Sequence, residues 1–527
     1  MSTFTGTWSL TRFALRRDRV RIVVWLAAVV ALVVVTAAST KGLYPTQADL
    51  DAAARASEDN PAALAFNGPA QALDTIGGQI AFQVGAIGLV LVGLMSILMV
   101  ARLTRGEEES GRAELIGSMA VGRHAGLAAG LVVVALMDVV VGVLVALALV
   151  ALALPVAGSV ALGLSFTALG LVFVAVTAVT AQVTESSRVA AGLAGAVLGV
   201  SYALRAVGDV GSGALSWLSP IGIAQKARPY AGEVWWPLAL ELVLALLLAA
   251  AAAVLVSHRD FGGGLVAPRP GPPRASSALG HPVGLAVRLE RGIVFWWAFA
   301  VLLTGVAYGS IANSIEEFIT DNEAISDLLA SAGGASLVDS YLATSLLVLA
   351  LIAGGAAIQM ALRPRTEEGA GRAEDLLATP LGRPHWLGAH LVVAFVGSAL
   401  IMVAGGVGTG ATYGLVIDDW GQVPRLVGAA LVQVPAVWVL VGAACALYGL
   451  LPRLALVAWA VLAWGFLVAM FGELLDLPQW LRDLSPLQHS PQAPARATEA
   501  LPLVVLVVVA AGLTVAGLVG FRRRDLG

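Results

Sequence analysis

Long runs of apolar residues alternate with short polar segments along the whole chain. A run of about 18 apolar residues is long enough to cross the hydrocarbon core of a bilayer as an α-helix. Runs of this kind are Ile22–Ser39, Ile80–Val100, Leu127–Leu152, Val160–Val183, Val189–Ala206, Trp236–Ser257, Ile293–Ser310, Leu342–Leu362, Leu387–Tyr413, Leu426–Leu451, Leu454–Phe471 and Leu501–Phe521. The pattern predicts an all-α polytopic membrane protein with about twelve transmembrane helices. The first run is longer than the apolar core of a secretory signal peptide, so we expect it to be retained as a span.

The composition supports this fold class. The 527 residues are 58% hydrophobic and only 12% charged, and the mean hydropathy is +0.87. Soluble domains carry about twice that charged fraction, so the composition excludes a soluble enzyme and a disordered chain. The net charge is −3 without a basic domain, which argues against a nucleic-acid partner and leaves membrane lipid as the surroundings. The single cysteine, Cys445, excludes an intramolecular disulfide.

Positive charge predicts the orientation of the spans. Cytoplasmic loops of membrane proteins carry an excess of Lys and Arg. Placing the N-terminus in the cytoplasm puts most of the 31 basic residues on the inside, whereas the outside loop 311–340 has six acidic residues and no basic one. We therefore expect a multi-pass protein of the cell membrane with both termini in the cytoplasm.

The chain contains an internal repeat. Residues 105–114, Arg-Gly-Glu-Glu-Glu-Ser-Gly-Arg-Ala-Glu, return at 365–374 as Arg-Thr-Glu-Glu-Gly-Ala-Gly-Arg-Ala-Glu. Six spans in each half give the two halves one orientation, so they are predicted to be parallel six-helix repeats. The predicted domains are a first half at 1–261 that begins with an elbow helix, a Pro/Gly-rich cytoplasmic linker at 262–284 and a second half at 285–527.

The repeated segment lies between the second and third spans of each half. On a continuous helix Glu108 would be four residues from Arg112, and Glu368 four from Arg372, so each pair could form a salt bridge. A solvated loop whose arginines only set the topology is one interpretation. A docking surface for another protein, present in two copies, is the other, and we prefer it because topology alone does not require this acidic pattern twice.

The repeated segment resembles the coupling helix of type-2 ABC exporter permeases, which runs from a Glu-rich stretch through Gly to Glu-Leu-Leu and often Pro. The second copy, which continues through Leu376-Leu377 to Pro380, is more similar than the first, which has Ala120 at the Pro position. The family also has an amphipathic elbow before the first span, similar to residues 10–21 and 285–291. The fused twelve-span form resembles actinobacterial permeases that export antibiotics and other drugs, including tetronasin-like polyketides.

The resemblance implies an ATP-driven exporter of small hydrophobic compounds such as antibiotics, drugs or lipid-like molecules. It also implies two copies of a P-loop ABC ATPase subunit that bind the ATP and Mg²⁺, with no cofactor on this chain. The implied ATPase-coupling residues are Glu107, Glu108, Gly111, Arg112, Glu114, Glu367, Glu368, Gly371, Arg372 and Glu374.

The sequence itself carries no P-loop. That motif needs Gly-Lys-Ser/Thr, and the two lysines, Lys41 and Lys226, follow Thr and Gln. We therefore expect a transport subunit that is not an enzyme, with ATP hydrolysis on a partner chain.

Few ionisable residues fall inside the spans. Asp138 is the acid nearest mid-membrane and is a weak candidate for the transport pathway, because intramembrane acids are costly and often functional. Its other interpretation is a carboxyl hydrogen-bonded to a neighbouring helix. Arg205 and Glu241 lie near outer span ends and are expected to snorkel to the interface. No clustered metal ligands occur in the sequence, so no metal site is predicted.

Two functions from other classes fit the sequence less well than an exporter does. A proton-driven twelve-span secondary transporter would be expected to place several acids in its spans, and by sequence position only Asp138 qualifies. A membrane-bound enzyme acting on lipid would need paired catalytic groups at mid-membrane, which the sequence does not show.

The charge asymmetry can be tested by cysteine labelling. Cysteines introduced at Ser110 and Ala370 should resist an impermeant thiol reagent in intact cells, because the membrane shields cytoplasmic segments. A cysteine introduced at Ser326, in the acidic outside loop, should be labelled. Labelling of the Ser110→Cys protein from outside would contradict this orientation.

Overall fold

A computed structural model describes residues 3–58, 61–117, 120–211, 213–260, 262–266, 271, 273–320, 337–471 and 478–524. Within those ranges all regular secondary structure is helical. The chain forms two compact units, residues 1–271 and 272–527, and each unit is described by itself. Most of the acidic loop 311–340, including Ser326, lies outside the described residues.

Among its described residues, the first unit contains twelve α-helices and one 3₁₀ turn. Its α-helices are α1 (Thr7–Arg17), α2 (Arg19–Leu43), α3 (Gln47–Glu58), α4 (Pro61–Asn67), α5 (Ile76–Leu103), α6 (Arg105–Glu109), α7 (Arg112–Gly117), α8 (Ala125–Ala151), α9 (Val156–Val183), α10 (Ser187–Val210), α11 (Pro220–Gln225) and α12 (Trp236–Ser257). The 3₁₀ turn is Leu215–Leu218. Helices α5 and α9 form the centre of the unit and are the most buried, because other long helices pack around them.

The second unit repeats the order of long spans and short charged helices. Its α-helices in the described residues are α13 (Pro282–Thr320), α14 (Leu337–Ala361), α15 (Arg363–Gly369), α16 (Arg372–Leu377), α17 (Arg383–Val416), α18 (Gln422–Val432), α19 (Val434–Leu450), α20 (Val457–Phe471), α21 (Gln479–Arg482) and α22 (Ala500–Arg523). Short 3₁₀ turns are Ser277–Gly280, Pro452–Leu454 and Pro486–His489.

The predicted fold class is confirmed. In the described part of the chain, eleven helical segments are long and apolar enough to cross a membrane. The twelfth predicted span corresponds to the apolar part of α20, Val457–Met470, which is shorter and is followed by residues 472–477, outside the described ranges. The protein is therefore an all-α, multi-pass membrane protein.

The elbow predicted before the first span differs between the halves. In the first unit α1 ends at Asp18, where the backbone leaves the helical geometry, and α2 begins at Arg19. In the second unit residues 285–291 are the first turns of the continuous helix α13, so the second elbow prediction was wrong. At this break Arg17, Arg21 and Arg102 all converge on the buried carboxylate of Asp18.

Close glycine contacts hold α13 against α17. A Cβ atom built on Gly305 would lie 2.5 Å from the carbonyl oxygen of Gly405, and one built on Gly408 would lie 2.3 Å from that of Leu302. Small residues at such crossings let two helix backbones approach closely. The resulting van der Waals packing stabilises the pair, because lipid is as apolar as the helices and provides no hydrophobic driving force for their association.

This contact predicts a position-specific loss of stability. Gly305→Leu should destabilise the protein by about 1–3 kcal/mol, because the added side chain overlaps the α17 backbone. Gly292→Leu in the same helix is the matched control, since a Cβ there meets no atom within 4 Å. Thermal unfolding of the purified protein in detergent should show a lower midpoint only for Gly305→Leu, and equal midpoints would contradict the packing.

Candidate functional site

Both copies of the repeated sequence fold into two short helices joined at a glycine. We call residues 105–117 the first Glu/Arg segment and residues 365–377 the second. In the first, α6 and α7 meet at Gly111, whose φ is +71°; in the second, α15 and α16 meet at Gly371, whose φ is +72°. A Cβ at either glycine would meet no atom within 4 Å. The backbone conformation, not lack of space, therefore requires glycine here.

The break at the glycine changes which residues pair. The predicted salt bridges of Glu108 with Arg112 and of Glu368 with Arg372 were wrong. Arg112 Nε instead lies 3.0 Å from Glu107 Oε2. In the second segment Arg372 likewise pairs with Glu367 and not with Glu368. Because the helix ends before the glycine, the four-residue spacing of a continuous helix does not extend across it.

In the second segment, Arg372 Nε lies 2.6 Å from Glu367 Oε2. Both copies thus use the arginine after the glycine to bond the acid five residues before it. This shared geometry shows that the repeat extends from the sequence to side-chain pairing.

Glu108 and Glu368 each bond an arginine that follows the last helix of their own unit. Arg259, which follows α12, places Nη2 2.6 Å from Glu108 Oε1 and Nη1 3.0 Å from Glu108 Oε2, a bidentate pair. Arg524, which follows α22, also bonds Glu368, but through Nη2 alone. Each Glu/Arg segment is thereby tied to the end of the final span of its half.

A third arginine closes the same joint in both units. Arg123 Nη2 donates to the carbonyl oxygen of Arg259 at 2.9 Å, and Arg383 Nη1 donates to that of Arg524 at 2.6 Å. We call each set of three residues, 108/259/123 and 368/524/383, a joint. The joint connects the Glu/Arg segment, the start of the third span and the end of the sixth span of its unit.

The two units support their joints differently. In the first, Arg17 Nη1 reaches from α1 to Glu107 Oε2 at 2.8 Å. In the second, the corresponding acid Glu367 takes Arg363 from its own helix at 2.8 Å, and Tyr448 donates to Glu368 at 2.6 Å. The elbow therefore contacts the segment directly only in the first unit, among the described contacts.

Arg105 is buried beneath the first segment. It is only 1% exposed and donates to the carbonyl oxygens of Ala181 (2.5 Å) and Gly263 (2.6 Å) and to Glu108 (2.6 Å). Residues 262–266, the beginning of the predicted linker, consequently lie against the end of α9, where Leu265 N donates to the carbonyl of Gln182 at 3.0 Å. The rest of that linker includes 267–270 and 272, which lie outside the described residues.

Asp18 at the first elbow and Arg372 in the second segment both stay charged at neutral pH. Burial alone would raise the pKa of Asp18, but hydrogen bonds from Arg21, Arg102 and Arg17 outweigh it and hold the pKa below its usual value. In the second segment, the hydrogen bond to Glu367 raises the pKa of the Arg372 guanidinium. These ion pairs therefore persist across the physiological pH range.

Only part of each segment faces outward. The side chains of Arg112 and Arg372 are 52% and 56% exposed, and Glu114 and Glu374 are also exposed. Glu107, Glu108, Glu367 and Glu368 are instead engaged in bonds within their own unit. The exposed charges are those available to another protein.

Asp138 lies in the interior of the first unit. Its Oδ1 accepts a hydrogen bond of 2.9 Å from Ser96 of α5, and Gly170 of α9 packs so closely that a Cβ there would be 2.5 Å from the Asp138 carboxyl carbon. The carboxyl thus sits between three helices with no exposed surface. Its role in the transport pathway stays a prediction.

The expected snorkelling of Arg205 and Glu241 was wrong, because both are fully buried. Arg205 donates to the carbonyl oxygens of Leu64 (3.3 Å) and Phe66 (3.2 Å), since α4 packs over the end of α10. Glu241 faces the interior on α12, and neither carboxylate oxygen has a hydrogen-bond partner among the described residues. Sequence position near a span end did not reveal the short helix that covers Arg205.

The chain is similar to known efflux proteins. Residues 279–522 match the family model described as the C-terminal domain of multidrug efflux system permease Rv1217c. Over 528 aligned residues the chain is 42% identical to the multidrug efflux system permease protein Rv1217c of Mycobacterium tuberculosis (strain ATCC 25618 / H37Rv), covering 100% of this chain and 96% of that protein.

The first joint predicts an energetic coupling between Glu108 and Arg259. Glu108→Gln and Arg259→Gln should each lower the stability by about 1.5–3 kcal/mol, because each leaves a charged partner short of a hydrogen bond. The double variant should cost less than the sum, as residues in one bonded network do.

Arg112→Gln is the matched control for this pair. Its guanidinium is half exposed, so its loss should cost about 1 kcal/mol or less. Thermal unfolding, together with hydrogen exchange at the end of α12, measures both effects. Additive losses for the Glu108 and Arg259 variants would contradict the joint.

Proposed function

This chain belongs to the family of multidrug efflux system permeases, and we propose that it works as the membrane subunit of an ATP-driven exporter whose separate ATPase subunits dock on the two Glu/Arg segments. As a permease of an efflux system it is a transport subunit that acts with other components. The proposal adds the energy source, the docking site and the class of cargo.

The observation that carries the proposal is the pair of equivalent joints. Each joint links an exposed charged turn to the last span of its unit through short arginine–carboxylate bonds. A partner that pushes or rotates the turn would also move the end of the last span, because the bidentate pair of Glu108 with Arg259 joins the two directly. Two such joints suit two copies of one partner.

The exposed charges suggest how a partner would recognise the turns. Glu114 and Glu374 face outward and each follows an exposed arginine by two residues, so both turns present the same charge pattern. Close charge pairs across an interface contribute specificity and, when desolvated, affinity. The internal acids instead keep each turn in shape.

The sequence supports ATP binding on the partner. A phosphate-binding loop needs a lysine within Gly-Lys-Ser/Thr, and neither Lys41 nor Lys226 has that context. In this proposal ATP and Mg²⁺ bind the partner subunits, and this chain carries the cargo. The similarity to a multidrug efflux permease supports hydrophobic antibiotics, other drugs or lipid-like compounds as that cargo.

One observation favours the alternative of proton-driven export. Three carboxyls on helices long and apolar enough to span a membrane, Asp138, Glu241 and Glu290, are fully buried, whereas the sequence pointed to one. Buried intramembrane acids occur in proton pathways. Asp138 and Glu241 belong to the first unit and Glu290 to the second, where it pairs with His390, and the position that matches Asp138 in the repeat carries Ser398.

Charge reversal on the exposed turns tests docking. The Glu114→Lys/Glu374→Lys variant should insert normally, because added cytoplasmic lysines agree with the orientation signal. It should recover about tenfold less ATPase subunit on co-purification, since each new lysine repels the partner's basic groups. Asp51→Lys, an exposed acid on α3 at the opposite end of the helices, is the control and should change neither result. Wild-type ATPase recovery by the double variant would contradict docking at these turns.

The same preparations separate the two energy sources. The purified chain alone should show no ATP turnover, and drug export from vesicles containing both subunits should require ATP and continue when a protonophore collapses the proton gradient. Export that stops with the protonophore and proceeds without ATP would support the proton-driven alternative instead.

A further inference from the structure

The first unit contains a cavity of about 480 Å³ between its elbow helix and its Glu/Arg segment. Its walls come from α1, the end of α5, the first Glu/Arg segment, the start of α8 and the end of α12. This volume is within the range of small-molecule binding sites in proteins.

The cavity exists because three positions in the first half are small. Gly126 and Gly130 correspond, at the repeat offset of 260 residues, to Trp386 and His390. Aligning the Arg-Asp sequences after the last span of each half pairs Val256 with Phe521. A Cβ on Gly126 would meet no atom within 4 Å, so this glycine faces open space.

In the second unit the larger side chains fill the corresponding position. Trp386 is 2% exposed and Phe521 is fully buried, and their rings stack with centroids 5.8 Å apart. Tyr448 stacks on the other side of Phe521 at 5.5 Å. The second unit thus packs this region with its own aromatic rings, whereas the first has smaller side chains there.

The walls of the cavity are apolar on one side and charged on the other. The apolar side chains are Leu10, Phe13, Leu103, Val121, Leu127 and Val256. On the charged side each of the two glutamates on the wall already has two arginine partners: Glu107 has Arg17 and Arg112, and Glu108 has Arg105 and Arg259. These four arginines and two acids are therefore committed to one another.

Two charged residues on the wall remain without an oppositely charged partner among the described residues. Arg123 uses only Nη2, for the carbonyl oxygens of Val256 and Arg259, which leaves Nε and Nη1 as donors. Asp260 is exposed, and only its backbone carbonyl accepts described hydrogen bonds. The wall thus offers one cation and one anion beside an apolar surface.

From this arrangement we propose that the cavity binds one molecule of an ethanolamine phospholipid. An acyl chain would cover the apolar wall, the phosphate would accept hydrogen bonds from Arg123, and the primary ammonium would donate to Asp260. Replacing water by hydrocarbon on an apolar surface of this extent is favourable, and phospholipid surrounds a unit that is embedded in the membrane. The site is separate from the docking and transport proposed above.

The bound lipid would have a structural consequence. Glu107, Glu108 and Arg259 form part of the wall, so the lipid would fill the space beneath the first joint. In the second unit Trp386, Phe521 and Tyr448 occupy that place. The first joint would therefore depend on lipid composition, and the second would not.

A phosphatidylethanolamine probe with a photoactivatable acyl chain tests occupancy in the full chain reconstituted in nanodiscs. Crosslinks should map to α1 and to the start of α8, including Phe13 and Leu127. Gly126→Trp, which introduces the residue of the second half, should lower this labelling about tenfold. Gly192→Trp on α10, where a Cβ also meets no atom within 4 Å, is the control and should leave it unchanged. Unchanged labelling of the folded Gly126→Trp protein would overturn the proposal.

Head-group competition tests the charged wall without altering the packing. In the wild type, unlabelled phosphatidylethanolamine should compete about tenfold better than phosphatidylglycerol, and Asp260→Asn should remove most of that preference because the ammonium loses its ionic acceptor. Equal competition by the two lipids in the wild type, or a probe displaced only by an exported drug, would overturn the assignment. This arm remains decisive if Gly126→Trp fails to fold, since Asp260 is exposed.

Discussion

The bond between an acid of the Glu/Arg segment and the arginine that ends the last span is the interaction on which each unit's charged end depends. Glu108 and Arg259 are mostly shielded, with side chains 15% and 8% exposed. A charge held away from water is stable only while it is paired and hydrogen-bonded. Arg123 and Arg105 add bonds around the same pair, so several chain segments meet at one network of charges.

The two units reach this shared joint with different supporting parts. The first relies on ion pairs: Asp18 gathers three arginines, and Arg105 holds the chain beyond α12. The second relies on rings, since Tyr448 bonds Glu368 and stacks on Phe521. The two units thus share the joint and differ in the residues around it, which gives them unequal chemistry around equal geometry.

The glycine turns explain how a short charged sequence can be both structural and available. At Gly111 and Gly371 a positive φ interrupts the helix, and Glu114 and Glu374 after it are exposed. The acids that bond within their own unit lie before the glycine: Glu107, Glu108, Glu367 and Glu368. One residue with positive φ separates the residues that hold the turn from those that can contact another protein.

The sequence alone predicted the helical class, eleven of the twelve proposed spans and the sequence repeat, because each depends on composition or local spacing, but it did not predict the breaks at Gly111 and Gly371 that change the ion pairs. It did not determine that Glu108 bonds Arg259, that α4 buries Arg205, or that α13 runs without an elbow. Those outcomes depend on contacts between residues far apart in the chain: Glu108 and Arg259 are separated by 151 positions. The cavity follows the same rule, since Gly126 and Val256 read as ordinary span residues until tertiary packing places them around one space.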